Sequence, residues 1–419
     1  MTTKTRLIIV LTMIVALAAF CGPTLAADKA LKVGIMGPFT GPSAKAGQEF
    51  KDSIQMAMEK IGGKVGDYKL ELVWVDSQSD PAKATNAFAE AIERKGVQAG
   101  AINWHSSVAA ACMDLTAQYK VPWFFAMGAA AIVNEKWQSD PAKYSYWGGK
   151  GWPTPAKLDA GIAAFMEDMI KEGKLTVKEK KAAIFGEDTD WGRNSGESVK
   201  NALIEAGWEV VSEDYFALTQ TDFYPLLSKW KRADVAFVGG TTTSAASMTG
   251  LVKQYDEVGL KSVLFANGLA WAGEWYKLTG KSSNSVIDMQ AQFASPAAKA
   301  FAEAKKKKFD YEPSAPASGL SYDGFNFFIK LLKRTLEKEG ELTSATIHKV
   351  MVEEVNTGKL TYTAEDGAIM MKEYKYTPET MPDPVVGPDY YFFPVVQYED
   401  GVGYSVYPAS MMTRDFKAK

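Results

Sequence analysis

Glu187-Asp188-Thr189-Asp190-Trp191-Gly192 sets three carboxylates beside an indole directly after an apolar run. Acid–base catalysis, cation ligation and helix entry all use such a cluster. The cation reading fails on spacing. An EF-hand loop starting at Asp188 would put Arg193 where the obligatory glycine belongs and Val199 where the bidentate Glu belongs. A glycosidase pair needs two carboxylates facing each other across a cleft, and Asp188 and Asp190 stand side by side. Acids at a helix start gain roughly 0.3–1 kcal/mol from the helix dipole, so helix entry is the expected role.

Other catalytic signatures are missing. His105 and His348 are the only histidines, and they lie far apart without a metal-pair spacing. There is no G-x-S-x-G elbow, no Walker A loop and no dinucleotide glycine fingerprint. Gly148-Gly149-Lys150-Gly151 has no Ser or Thr after the lysine, which leaves a weak phosphate signal. Cys112 sits in an apolar helical run and reads as a small core residue. The residues point away from an enzyme, with no cofactor and no metal expected.

The elements that position these residues alternate regularly. Strands are expected at 31–36, 70–75, 99–103, 121–125, 182–185, 210–211, 235–238 and 263–265. Helices are expected at 49–61, from Pro81, and at 106–119, 158–172, 195–206 and 245–255. This alternation predicts an α/β chain with mostly parallel sheets covered by helices. So many strands exceed one ordinary sheet, which argues for two lobes, with a first crossing near Gly148–Pro153. Ligands of such sheets bind where strands end and helices begin. Five loops qualify: Asn103–Ser107, Met127–Ala131, the acidic stretch itself, Gly239–Ser244 and Ala266–Gly268. In the first, Ser106 or Ser107 is the expected N-cap. The Pro- and aromatic-rich tail from Thr377 to Tyr407 reads as an ordered wrap or insertion.

The 419 residues, 47% of them hydrophobic, suffice for two or three cores, and a net charge of −3 excludes a nucleic-acid footprint. The run Lys305–Lys308 reads as a solvated helix face. Lys4 and Arg6, the apolar stretch 7–20 and small residues near Ala26 form a secretory signal over residues 1–27, which predicts a periplasmic location. Bulky Phe20 before Cys21 argues against lipidation. Without the signal, Cys112 alone remains, and no internal disulfide can form.

The order of several short motifs resembles the solute-binding proteins of branched-chain amino-acid ABC importers. They are Val33-Gly34-Ile35 with Thr40-Gly41-Pro42, Asp76 to Pro81, Ser106-Ser107, Val121-Pro122 before Gly128-Ala129, and Asp188-x-x-Trp191-Gly192. Gly239-Gly240, Val258-Gly259-Leu260, Tyr322-Asp323 and Gly358 to Tyr362 ahead of Asp366-Gly367 continue the series. The resemblance implies the type I periplasmic binding protein fold, two lobes joined by crossover hinge strands and closing on a ligand. Lobe 1 is expected at 28–150 plus 293–370, and lobe 2 at 151–292 plus 371–419. The implied partners are a small-molecule ligand, an amino acid or other carboxylate, and a membrane permease. A monomer without cofactors is expected.

By position, the resemblance gives Ser107 the ligand-carboxylate hydroxyl, Gly128 and Ala130 a second carboxylate loop, and Trp191 the aromatic that closes over the ligand. Ala46 and Thr241 fall where the family carries bulk, and neither Gly268 nor Leu269 supplies the acid that pairs a ligand ammonium. His105, Ser106, Ala129, Thr242 and Asn267 complete the expected site from the same loops. Trp104, Trp152 and Trp191 are expected to line an enlarged pocket. The predicted solute is a larger, aromatic or apolar carboxylate, with a branched-chain amino acid close behind. Asp188 or Asp190 is left as the candidate ammonium partner. An exported α/β enzyme and a ligand-sensing module stand as alternative functions.

Overall fold

The computed structural model describes residues 29–271 and 273–419. The expected secretory signal and Cys21 lie outside them. Two sheets organise the chain. In the first, β1 (Lys29–Gly37) is central, flanked by β3 (Tyr68–Asp76) and β4 (Ala99–Ala101). β2 (Lys64–Val65) and β5 (Trp123–Phe124) form its edges. All neighbours are parallel except the β2–β3 hairpin. The inner part of β1 is buried on both faces, as a parallel strand covered by helices must be.

The second sheet runs β14-β13-β10-β9-β8-β6-β7. β6 (Lys181–Glu187), β7 (Glu209–Phe216), β8 (Phe237–Thr241), β9 (Val263–Asn267) and β10 (Ile287–Met289) are parallel. β13 (Val395–Glu399) and β14 (Val402–Tyr407) add an antiparallel edge. The chain is therefore α/β with two mostly parallel sheets flanked by helices. The aromatic tail thus becomes part of the second sheet, because Val395, Val396 and Tyr398 bury their side chains on it.

The helices follow the expected stripes, with start points moved by their caps. Asp80 accepts the Lys83 N–H at 2.9 Å and begins Pro81–Glu93. Thr189 accepts the Gly192 N–H at 3.3 Å, so the helix Asp190–Glu205 starts five residues before the expected Ser195. Gly192 must be glycine, because a Cβ there would lie 2.1 Å from the Glu187 carbonyl oxygen.

Two readings of lysines are overturned. In the helix Pro296–Phe309, Lys305 is not solvated. It follows Phe301 by one turn on the buried face, and its ammonium donates to the Glu49 carbonyl (2.7 Å), Ser53 Oγ (2.6 Å) and Ser318 Oγ (2.8 Å). Burial pushes its pKa down to about 8. Lys150 in the Gly-rich stretch is equally enclosed. It pairs with Asp383 at 2.8 Å and donates to the Ala129 carbonyl and Asn134, which removes it from any phosphate role.

Candidate ligand-binding site

Two strands of the first sheet end in a strained turn. Ile102 after β4 and Phe125 in the residue after β5 have φ of 67° and 55°. A left-handed backbone is costly for a β-branched residue such as Ile102, and such strain gathers where a loop must be aimed. The Trp123 indole N–H, 2.7 Å from the Ile102 carbonyl, helps hold it. Beyond these turns, Asn103–His105 and Ala126–Ala130 converge. Gly128 allows the approach, since a Cβ there would lie 2.6 Å from that of Ala109.

The helix Ser106–Tyr119 starts at this point without any side-chain cap. Neither serine is the N-cap; that position belongs to His105. Ser106 Oγ instead accepts the Ala130 N–H at 3.0 Å, which keeps its own hydrogen available. An uncapped helix N-terminus beside a hydroxyl is a natural seat for an anion.

Trp104, His105, Ser106, Met127, Ala129, Trp152, Trp191, Thr243 and Trp271 surround a cavity with about 290 Å³ of space between atoms, mouth included. Trp271 stands at the centre of the wall, its ring centroid 5.4, 5.8 and 5.9 Å from those of Trp104, Trp152 and Trp191. Behind Trp152, Phe393 of the tail packs edge-on at 4.7 Å.

The indole N–H groups divide into two kinds. That of Trp191 is satisfied by Thr241 Oγ1 at 3.1 Å, which fixes the ring. Those of Trp104, Trp152 and Trp271 are buried without a partner. Buried polar groups are nearly always paired, and these three unpaired donors belong to residues of one wall. Among the described residues, no Asp, Glu, Lys or Arg lines the cavity.

Of the expected residues, Trp104, His105, Ser106, Ala129, Trp152 and Trp191 meet at this wall. Ser107, one position further round the helix, is not among the lining residues, whereas Ser106 is. Ala46 lines a separate small space with Ser43, Lys45 and Gly268. Gly128, Ala130 and Thr241 support the wall from behind. Thr242 accepts the Ser244 N–H in the turn before the next helix. Asn267 donates to Asp159 at 3.3 Å. Trp271, Met127 and Thr243 were not named as site residues, although Trp271 follows a candidate loop by three residues and Met127 and Thr243 lie inside two others.

The acids are spoken for. Asp188 is exposed and bound to Arg193 at 2.7 Å, and Asp190 lies in the first turn of its helix, so neither reaches the cavity. Glu187 is fully buried, takes hydrogen bonds from Thr189 and Thr243, and has its pKa raised by burial. Asp159 is buried behind the wall and accepts from Ser195 at 2.6 Å as well as Asn267; burial pushes its pKa up to about 7.

A family model described as periplasmic binding protein matches residues 30–376. A Leu/Ile/Val-binding protein homologue of Brucella melitensis is 29% identical over 336 residues, 77% of this chain and 81% of the relative. A leucine-, isoleucine-, valine-, threonine- and alanine-binding protein of Pseudomonas aeruginosa is 26% identical, covering 78% of this chain and 83% of its own. Among solved structures, a solute-binding protein of an ABC transporter from Rhodopseudomonas palustris, in complex with 3,4-dihydroxybenzoic acid, superposes with a TM-score of 0.72. It is 23% identical and covers 93% of this chain and 98% of that one. The match over most of its length shows that this chain belongs to the periplasmic binding protein family and is a solute-binding protein.

Proposed function

We propose that this chain is the receptor of an ABC importer and encloses a small carboxylate with an apolar, aromatic body. The observation that carries this reading is the wall of three unpartnered indole donors beside the Ser106 hydroxyl and an uncapped helix N-terminus. A carboxylate would take those hydrogen bonds, and the four indole rings would cover a flat apolar body. A zwitterionic amino acid would bring an ammonium with no anion in the wall, at a cost of several kcal/mol. Neighbouring structures support the aromatic choice, since two from Rhodopseudomonas palustris hold benzoate and 3,4-dihydroxybenzoic acid.

The lobes we assign are 28–150 plus 293–394 and 151–292 plus 395–419, which moves the return to the second lobe from the expected 371 to β13. β12 (Glu373–Tyr374) still pairs with β11 (Tyr362–Thr363), and Tyr376 lies against Phe124, both beside the first sheet. Hinge closure of these lobes on the solute, in the periplasm, would present the complex to a permease. Calorimetry with benzoate, phenylacetate, leucine and valine tests the ligand class. Binding of an aromatic acid is expected; binding of leucine or valine with no response to aromatic acids refutes the reading.

A further inference from the structure

One wall residue is left over from the carboxylate reading. His105 Nε2 lies 3.1 Å from Ser43 Oγ and 3.3 Å from Thr243 Oγ1. The Ser43 hydroxyl gives its hydrogen to the Thr243 carbonyl at 3.0 Å, and the Thr243 hydroxyl gives its own to Glu187 Oε2 at 2.8 Å. Both oxygens then face the imidazole with lone pairs only. The ring proton therefore sits on Nε2, and Nδ1 carries a lone pair. That Nδ1 is buried and has no partner. Burial pushes the His105 pKa down to about 4, so the ring stays neutral and the lone pair persists at ordinary pH.

The other free polar groups of the wall, three indole N–H groups and the Ser106 hydroxyl hydrogen, are donors. His105 Nδ1 is an acceptor set among them. We infer that His105 reads a hydroxyl on the solute: the ligand is a hydroxylated aromatic carboxylate whose O–H donates to Nδ1 while its carboxylate takes the donors. This rests on the carboxylate reading and narrows it. An analogue without the hydroxyl leaves Nδ1 buried and unpaired, as a site built for a hydroxyl should penalise.

Calorimetry on the full chain with benzoate and its 2-, 3- and 4-hydroxy forms tests the assignment. At least one hydroxylated form is expected to bind about tenfold more tightly than benzoate, the effect of one good hydrogen bond. His105→Gln retains an amide N–H for Ser43 and Thr243, and its one acceptor, the amide oxygen, no longer stands at the Nδ1 position. It should bring the hydroxylated form to within about threefold of benzoate in the same variant, by the loss of that one bond. Nitrogen NMR gives an independent measurement on the wild-type chain, which has only His105 and His348 to assign. The Nδ1 resonance of His105 should shift with the hydroxylated acid and hold still with benzoate. Equal binding of benzoate and all three hydroxylated forms, or a preference that survives in His105→Gln, overturns this inference alone. Failure of every aromatic acid overturns the carboxylate reading and this inference together.

Discussion

Trp271→Phe separates a ligand donor from a packing residue, because the two roles predict different signs. Trp271 is 5% exposed and touches three other indoles, yet its N–H has no partner. Phenylalanine keeps a ring in that cluster and deletes the donor. A hydrogen bond to a charged acceptor is worth about 1.5–3 kcal/mol, so affinity for an aromatic acid should drop roughly 10- to 150-fold. Stability of the ligand-free protein should barely change. Losing part of the ring costs about 1–2 kcal/mol of packing, while removing a buried unpaired donor returns about 1–3 kcal/mol. The assay is calorimetry with 4-hydroxybenzoate paired with thermal unfolding without ligand. Unchanged affinity would refute the donor role. A parallel fall of affinity and melting temperature would assign Trp271 to packing alone.

Three further outcomes follow from the same geometry. Trp191→Ala should weaken binding at least tenfold by stripping a wall ring, whereas Asp190→Ala, at the helix start, should stay within about twofold; titration of both variants by calorimetry checks the order. Gly192→Ala should lower stability by about 3 kcal/mol, since the added Cβ meets the Glu187 carbonyl oxygen and neither backbone can yield cheaply; thermal unfolding reads it. For Asp159, a folded pKa of about 7 lies above the unfolded carboxyl value near 4. Its contribution to stability is thus full below about pH 4 and lost as pH rises through 7. Asp159→Asn should therefore exceed wild type in melting temperature at pH 8, by up to ~4 kcal/mol in stability, and the gap should narrow towards pH 5 and close below about pH 4; a gap independent of pH would contradict the burial argument.

Much of the architecture is legible in the sequence, because parallel strands bury both faces and their β-branched runs stand out. β1, β3, β6 and the helix Ser106–Tyr119 are of this kind. β10, β13 and β14 were not, since they are short or lie in a segment dominated by Pro and aromatics. The helix Ser321–Glu339 was missed for the opposite reason. Its apolar face carries Phe325, Phe328, Leu332 and others, but Ser321, Asp323, Gly324 and Asn326 are also buried and blur the stripe. The loops of the site were legible from the rule that ligands bind at strand ends. The split between wall and support was not, because it depends on which way adjacent side chains point. Ser106 against Ser107 is the clearest case: both hydroxyls head the same helix, and about 100° of rotation decides which meets the cavity. Trp271 needed the fold of β9 and its loop to bring it among indoles far away in sequence.

The rim and the wall of the site divide the work of binding. Across the cleft, Ser43 reaches the Thr243 carbonyl, Lys45 pairs with Glu274 at 2.5 Å, and Glu49 accepts the Gly273 N–H at 3.1 Å. Opposite them, Asn194 accepts the Ala131 N–H at 2.9 Å. Ser43, Lys45 and Glu49 lie at or near the start of the helix Ala44–Lys60, which acts as a common edge, and His105 Nε2, 3.3 Å from Thr243 Oγ1, adds a fifth contact. Each neutral bond contributes about 0.5–1.5 kcal/mol and the exposed ion pair about 0–1. With three neutral bonds, the charged Glu49 acceptor at about 1.5–3 kcal/mol and the ion pair, the sum is roughly 3–8 kcal/mol, on the scale of the ≈ 5.5 kcal/mol that carries a two-state equilibrium from one extreme to the other. The rim bonds are the same for every solute and cannot discriminate. Discrimination must come from what the wall leaves unpaired: three indole donors, the Ser106 hydrogen and the His105 lone pair. A solute that pairs them adds its own hydrogen bonds to those of the rim, and one that cannot leaves buried groups unsatisfied.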